Sequence, residues 1–442
     1  MLSVSIITNC RRVVFFGMFF LIFSKVSAQE NSPYSRYGLG DLLPSQNIVN
    51  RGMGGVVAAY GDVQAINFVN PASYSRLKVT TFDVGIDYTN HTLKSINPIN
   101  KFSSAYLIPS YLQIGIPLSS PSSKNGHWGM NIGLRPLTRI NYKLDKTTRL
   151  PGIDSVAYLY QGNGGSYQAY LGTGFGNNHI SLGFNVGYLF GSKNYSTKVL
   201  FLNDTILYYK STSADSTSFG GLFANAGFQY QAKLNKTTWL KLGAYGQMKN
   251  TLNAKRDIVR ETFDSDPSTG GDITVDSVYA SRGQNGKIIY PASYGFGFSV
   301  EKEDQWSFGA DYAIANWSDY RYYGSKDEVK DNWQLRLGGQ FIPNIKSKSY
   351  WSIVSYRIGF YTGPDYIQLN EKLNQYAFTF GAGFPIRKFG AYSLYNNQFT
   401  IINTAVEVGS RGNKNSQVKE SFFKISIGFT LSDRWFIKPK YN

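Results

Sequence analysis

The feature that most constrains this chain is a two-residue alternation of bulky apolar with small or polar side chains. Between 180 and 190 every even position is bulky, while the odd positions from Ser181 to Gly187 are small or polar. Segments 293–300 and 423–430 repeat the pattern. Successive side chains of a strand point to opposite faces, so each segment predicts a strand with one apolar face. About fourteen such segments, separated by turn signals, lie between Val79 and Leu431.

Two architectures could use such strands. A β-sandwich needs bulk facing inward on both sheets, whereas a membrane barrel turns bulk toward lipid and keeps a small or polar lumen. The alternating glycines favour the barrel. Short turns near 176–178, 233–235 and 302–304 also alternate with long polar links, 193–218 and 254–286. We therefore predict an all-β fold, a transmembrane antiparallel β-barrel of about 14 strands, with the short turns in the periplasm.

The N-terminus predicts export. Arg11 and Arg12 precede an apolar run, and the small residue Ala28 suits a cleavage site. We predict a signal peptide at 1–28, an N-terminal hatch or plug at 29–77 and an outer-membrane barrel at 78–442. Cleavage would remove Cys10, the chain's one cysteine. The predicted location is the outer membrane of a Gram-negative cell.

Charge and composition narrow the function. The full chain has 45 basic and 28 acidic residues, a net charge of +17. Export and the lack of a basic run argue against nucleic acid, so we expect the charge to face membrane lipid and lipopolysaccharide or to line a pore. His91, His127 and His179 are scattered over predicted loops and turns, and the glycines of 162–165 lie in a predicted strand. The sequence therefore predicts no enzyme, no cofactor and no metal site.

A glycine-rich stretch, Arg51 to Ser75, precedes the strands. Glycine weakens a strand and proline cannot donate to its ladder, so we expect this stretch to pack inside the lumen. One short helix is predicted over 58–68. The candidate hatch residues are Gly52, Gly54, Gly61, Asp62, Asn70, Pro71 and Ala72.

With its Gly61-Asp62 pair and its closing Asn70-Pro71-Ala72, this stretch resembles the N-terminal hatch of the FadL/TodX family. The resemblance implies an outer-membrane transporter of long-chain fatty acids or hydrocarbons, with fourteen strands and a kinked third strand that opens the wall sideways. The ending 433–438 resembles the Bacteroidetes branch, which includes the PorV-type shuttle of the type IX secretion system. Val69 and Ser73 depart from the family pattern. The resemblance therefore supports the fold but does not identify the substrate.

The predicted third strand contains Pro136 beside Arg135. A proline inside a strand of a closed barrel predicts a local break in pairing. The resemblance to the FadL/TodX family implies that this break is a lateral opening at Arg135 and Pro136, with Pro109 of the second strand on its other rim. The alternative is a simple bulge near the barrel rim.

Four charged residues sit at small-residue phases of their strands and should face the lumen: Asp311, Arg336, Arg357 and Lys424. Buried charges need partners, so we expect them to pair with one another or with Asp62. A site for an acidic headgroup is the alternative.

The predicted function is transport of a hydrophobic or amphipathic small-molecule ligand. The alternative is a non-transporting partner barrel, with a protein partner in a type IX secretion or surface-attachment complex.

Overall fold

The computed structural model describes residues 32–95, 99–119, 126–152, 154–202, 209–265, 268, 271–369, 372–386, 399–413, 416 and 418–433. The predicted signal peptide lies outside these residues. Fourteen strands form one antiparallel sheet: β1 Thr80–Ser95, β2 Lys101–Pro117, β3 His127–Leu150, β4 Asp154–Gly176, β5 Ile180–Phe201, β6 Lys210–Lys233, β7 in two parts Thr238–Gln247 and Asn250–Ser265, β8 in two parts Asp272–Tyr290 and Ser293–Lys302, β9 Trp306–Ala315, β10 Asn332–Phe341, β11 Ser355–Gln368, β12 Lys372–Ile386, β13 Phe399–Arg411 and β14 Val418–Asp433.

The sheet closes on itself, because β14 pairs with β1 over the full length of both strands. Closure satisfies the backbone within the wall, as a bilayer requires. Bulky side chains face outward: Leu182 and Phe296 are each 57% exposed, whereas the alternate Ser181 and Ser426 are buried. The predicted all-β barrel of fourteen strands is confirmed.

The remaining elements are short. They are a strand Asp41–Leu42, helices α1 Ile48–Gly52 and α2 Tyr350–Ile353, 3-10 turns Pro33–Arg36, Pro71–Arg76 and Trp317–Asp319, and a strand Arg321–Tyr322. Within the described ranges, none of the helices combines the length and the hydropathy needed to cross a bilayer.

The barrel is uneven in height. Strand β3 has 24 residues but β10 only 10. The predicted long links 193–218 and 254–286 are wrong as loops, because β5 runs to Phe201 and β7 to Ser265. Their Ser and Thr side chains tolerate water on both faces while the backbones pair in register. Strands β3 to β8 therefore project at one end, the tall end; the other, where Asn177 lies, is the turn end.

The topology carries a prediction. We expect the tall end to lie outside the cell, since long polar extensions face outward in barrels of this kind. A cysteine replacing Ser268, in the connection between β7 and β8, should react with an impermeant reagent on intact cells. A cysteine replacing Asn177 should react only after the membrane is broken. The opposite labelling pattern would invert the topology.

The segment 32–79 lies inside the barrel. Four of its side chains are fully buried, at 0% exposure: Ile48, Val57, Ile66 and Tyr74. The predicted helix over 58–68 is wrong, because the stretch is irregular and its backbone groups bond to side chains instead. For example, Asn67 Nδ2 donates to the Val57 carbonyl at 2.7 Å.

Candidate functional site: the hatch and the break in the barrel wall

Lumen-facing glycines let the backbone of the hatch lie directly against the backbone of the wall. A Cβ placed at Gly243 would overlap the carbonyl of Ala58, and one at Gly338 would overlap that of Met53. Only glycine permits such an approach. The same holds for wall glycines facing other hatch residues: Gly129, Gly174, Gly183, Gly359 and Gly381. A Cβ at Gly227 would instead overlap the side-chain oxygen of Asn70.

The Asn-Pro-Ala tripeptide anchors this contact. Asn70 Oδ1 accepts from the Ala72 backbone N–H at 3.1 Å and so starts the 3-10 turn that follows. Its Nδ2 donates to the Ala58 carbonyl at 2.6 Å and to the Phe228 carbonyl of β6 at 3.2 Å. Pro71 packs on Gly183 of β5.

The predicted hatch glycines also approach the wall or the hatch itself. Gly54 has φ +65° and lies against the Leu337 carbonyl of β10, a conformation that favours glycine. A Cβ at Gly52 would lie 3.1 Å from Gly381, and one at Gly61 would lie 3.1 Å from Arg76.

Two predicted lumen charges bind the hatch backbone. Asp311 Oδ2 accepts from the N–H groups of Val57 at 2.5 Å and Ala58 at 2.7 Å. Arg336, opposite Asp311 in register, donates to the Gly55 carbonyl at 3.4 Å. These side chains replace secondary-structure partners that the irregular hatch lacks.

The other two bond elsewhere. Arg357 donates to Gln340 at 2.7 Å and Asn403 at 3.0 Å, and the Lys424 ammonium lies 4.7 Å from the Phe422 ring centre. The expected pairing with Asp62 is not what the described residues show. Its carboxylate accepts from the hatch's own backbone, at Gln64 and Ala65, because a short side chain satisfies its local turn first.

A charged tie between hatch and wall was not predicted from the sequence. Arg51, 3% exposed, reaches both carboxylate oxygens of Asp87 on β1, at 2.6 and 2.7 Å. The same guanidinium donates to Ser110 on β2 and to Ser426 on β14 at 3.2 Å. Burial alone lowers the pKa of Arg51, but nearby carboxylates outweigh it and the pKa is raised.

The wall is interrupted between β2 and β3. Their ladder runs from the turn end to Leu112 and Leu134 and, among the described residues, goes no further. We call this interruption the wall break. Pro136 lies two residues beyond Leu134 in a bulge of the β3–β4 ladder, and Pro109 lies at a bulge of the β1–β2 ladder. Both predicted rim prolines therefore flank the break, while their role in a lateral opening stays a prediction.

The N-terminal segment covers the β3 side of the break. Asp41 pairs with Arg139 and Leu42 with Thr138 as a short antiparallel strand, and the Leu43 N–H donates to the Leu137 carbonyl at 2.9 Å. We call residues 41–43 the cover strand. Arg135 stands beside it and donates to the Ser45 carbonyl at 2.8 Å.

A buried charge cluster holds the cover strand to the opposite side. Arg411 on β13 forms ion pairs with Asp41 at 2.8 Å, Asp365 on β11 at 2.7 Å and Glu420 on β14 at 3.4 Å. Glu420 also pairs with His91. His91 was expected in a loop, but it lies within β1, because that strand continues to Ser95.

A cavity of about 310 Å³ lies between the hatch, the cover strand and the wall. Its lining mixes aromatic rings, such as Tyr106 and Tyr245, with cations. The cations that line it are Arg51, Arg135, Arg336, Arg411 and Lys424, and the carboxylates Asp41, Asp365, Glu407 and Glu420 line it as well. It can accept a small molecule that carries both an apolar part and an anionic group.

Solved outer-membrane channels share this fold. The toluene transporter TodX of P. putida has a TM-score of 0.57 at 16% identity, over 90% of this chain and 100% of that chain. The toluene transporter TbuX of Ralstonia pickettii gives 0.55 at 16% identity, over 88% and 98%. A Pseudomonas aeruginosa FadL homologue gives 0.54 at 12% identity, over 90% and 100%. The chain thus has the FadL/TodX-like outer-membrane channel fold, with the segment inside the lumen in the place of a hatch.

None of the curated proteins matches this sequence. One protein family does: the BamG family matches residues 10–442, nearly the whole chain. The chain belongs to the BamG family.

Proposed function

We propose that the protein passes an amphipathic small molecule with an acidic group across the outer membrane, by way of the cavity and the wall break. The observation that carries the proposal is the cover strand, which fills the β3 side of a break flanked by two prolines. A wall edge paired with a removable segment can open without breaking the ladder of the barrel.

The lining of the cavity favours a ligand that carries an acidic group. Arg135 donates only to neutral oxygens, those of Ser45 and Gln168, among the described residues. A carboxylate or phosphate would bind a guanidinium more strongly than these neutral acceptors do. The hydrocarbons named for the similar structures have no such group, so a long-chain fatty acid fits this lining better.

The test is a disulfide that locks the cover strand. Opposite residues of an antiparallel pair lie at a Cα separation that a disulfide can bridge. In a Leu42→Cys/Thr138→Cys variant, oxidation should reduce oleate uptake by whole cells to the level of cells lacking the gene. Reduction should restore it.

The control is a lock that no opening requires. Ala382 and Thr404 face each other on β12 and β13, and a disulfide there should leave uptake unchanged. Full uptake with the cover strand locked would rule out passage through the wall break.

A second candidate, a partner barrel in a secretion or surface-attachment complex of the PorV-like kind, is favoured by one observation. In the upper half of β8, residues 272–280 are all exposed and pair only with β7 among the described residues. Ile273, Val275 and Val278 lie on this free edge. A partner's extended segment could add to it as a strand. In that case a partner co-purifies in mild detergent whether or not the cover strand is locked.

A further inference from the structure

Three lysines form a row across the outer face of the barrel at the tall end. Lys419 on β14 lies directly opposite Lys94 on β1, and Lys94 lies opposite Lys101 on β2. All three are exposed. Neighbouring strands are about 4.8 Å apart, so three positive charges share about 10 Å of wall. We call them the lysine row.

The lysine row begins where the apolar outer face ends. Along β14, the outward positions between Leu431 and Phe423 are all apolar, and the next two toward the tall end are Ser421 and Lys419. On a membrane barrel this transition marks the level of the lipid headgroups.

A row of hydroxyls separates the lysines from the apolar surface. Ser421 lies opposite Thr92, and Thr92 lies opposite Ser103. The hydroxyls of Thr92 and Ser103 are 3.0 Å apart. One of these two hydroxyls donates to the other, so the second can donate to an oxygen of a bound group.

Like charges directly opposite each other destabilise a sheet. Among the residues that the structure describes, none of the three lysines has an ion-pair partner within 4.0 Å. Glu420, the neighbour of Lys419, faces the lumen and is held there by His91 and Arg411. A bound external anion would offset this repulsion.

We infer that the lysine row binds the phosphate groups of a phosphorylated glycolipid of the outer leaflet, of the lipid A type. Such a lipid presents phosphates on its sugar headgroup, the amide and ester groups of its acyl linkages beneath them, and acyl chains below those. The wall presents lysines, hydroxyls and apolar side chains in the same order. A free phosphate ion would use only the first of these.

The test uses the full chain in detergent with diphosphoryl lipid A as the probe, and native mass spectrometry as the readout. Replacing all three lysines with glutamine, as Lys94→Gln/Lys101→Gln/Lys419→Gln, should weaken binding by about tenfold or more, since each lysine near an anionic headgroup contributes. The control, Lys236→Gln/Lys346→Gln/Lys348→Gln, removes the same charge at the turn end. It should keep the affinity of the unaltered protein.

Further binding measurements identify the class of ligand. A Lys→Arg version of the row should retain binding, and dephosphorylated lipid A should bind the unaltered protein as weakly as the glutamine variant binds the diphosphoryl form. Equal losses in the row and control variants would overturn the site. Equally tight binding of phosphatidylglycerol, or full competition by inorganic phosphate, would overturn its assignment to a glycolipid.

Discussion

Removal of residues 29–75 is expected to turn a closed barrel into an open pore while the wall still forms. The wall closes through β14 and β1, and the hatch contributes only Asp41 and Leu42 to its ladders among the described residues. Without the hatch the lumen is lined by glycines and polar groups. A fourteen-stranded barrel without a plug should conduct ions through its lumen. The conductance in planar bilayers should therefore rise by about tenfold or more relative to the full chain.

The same pore should open without any deletion. A Gly338→Leu substitution would force a side chain into the Met53 carbonyl and push the hatch off the wall. Gly126 is the matched control, because a Cβ there meets only the Gly176 carbonyl at 3.7 Å. Heat-modifiability on gels reports whether each barrel has folded. A folded barrel lacking residues 29–75 that stays as closed as the full chain would show that the hatch is no plug.

The strands were predictable from sequence because their alternation is a local rule. Ser181 and Leu182 fall on opposite faces whatever the rest of the chain does. The upper parts of β5 to β8 were read as loops for the same reason. Both of their faces are polar, so Ser211 to Thr217 carry no alternation although their backbones pair fully.

Pro109 and Pro136 were found from sequence because a missing backbone donor is also a local property. The cover strand left no such signal. Asp41 meets Arg139 only because the segment runs along the inside of β3, and Arg51 meets Asp87 only after the hatch has docked. Sequence spacing does not encode contacts that depend on the path of an irregular segment.

The Arg51–Asp87 pair offers a direct test of what holds the hatch in place. An Arg51→Met variant leaves the buried Asp87 carboxylate without its cation, which typically costs about 3–5 kcal/mol. Since the tie joins hatch to wall, the loss should appear as hatch release rather than barrel unfolding. A cysteine replacing the buried Ala59 reports it. Its reaction with a thiol reagent should accelerate by roughly a hundredfold or more, because about 1.4 kcal/mol corresponds to tenfold.

Arg76 supplies the matched control. It lies in the same segment and, among the described residues, forms no ion pair within 4.0 Å. Burial lowers its pKa, so an Arg76→Met change removes a cation that burial already disfavours. Labelling in that background should stay close to the starting rate. In the double variant Arg51→Met/Asp87→Asn the buried charge is gone as well, and labelling should slow again toward that rate. If Arg51→Met and Arg76→Met accelerate labelling equally, the Arg51–Asp87 pair does not hold the hatch.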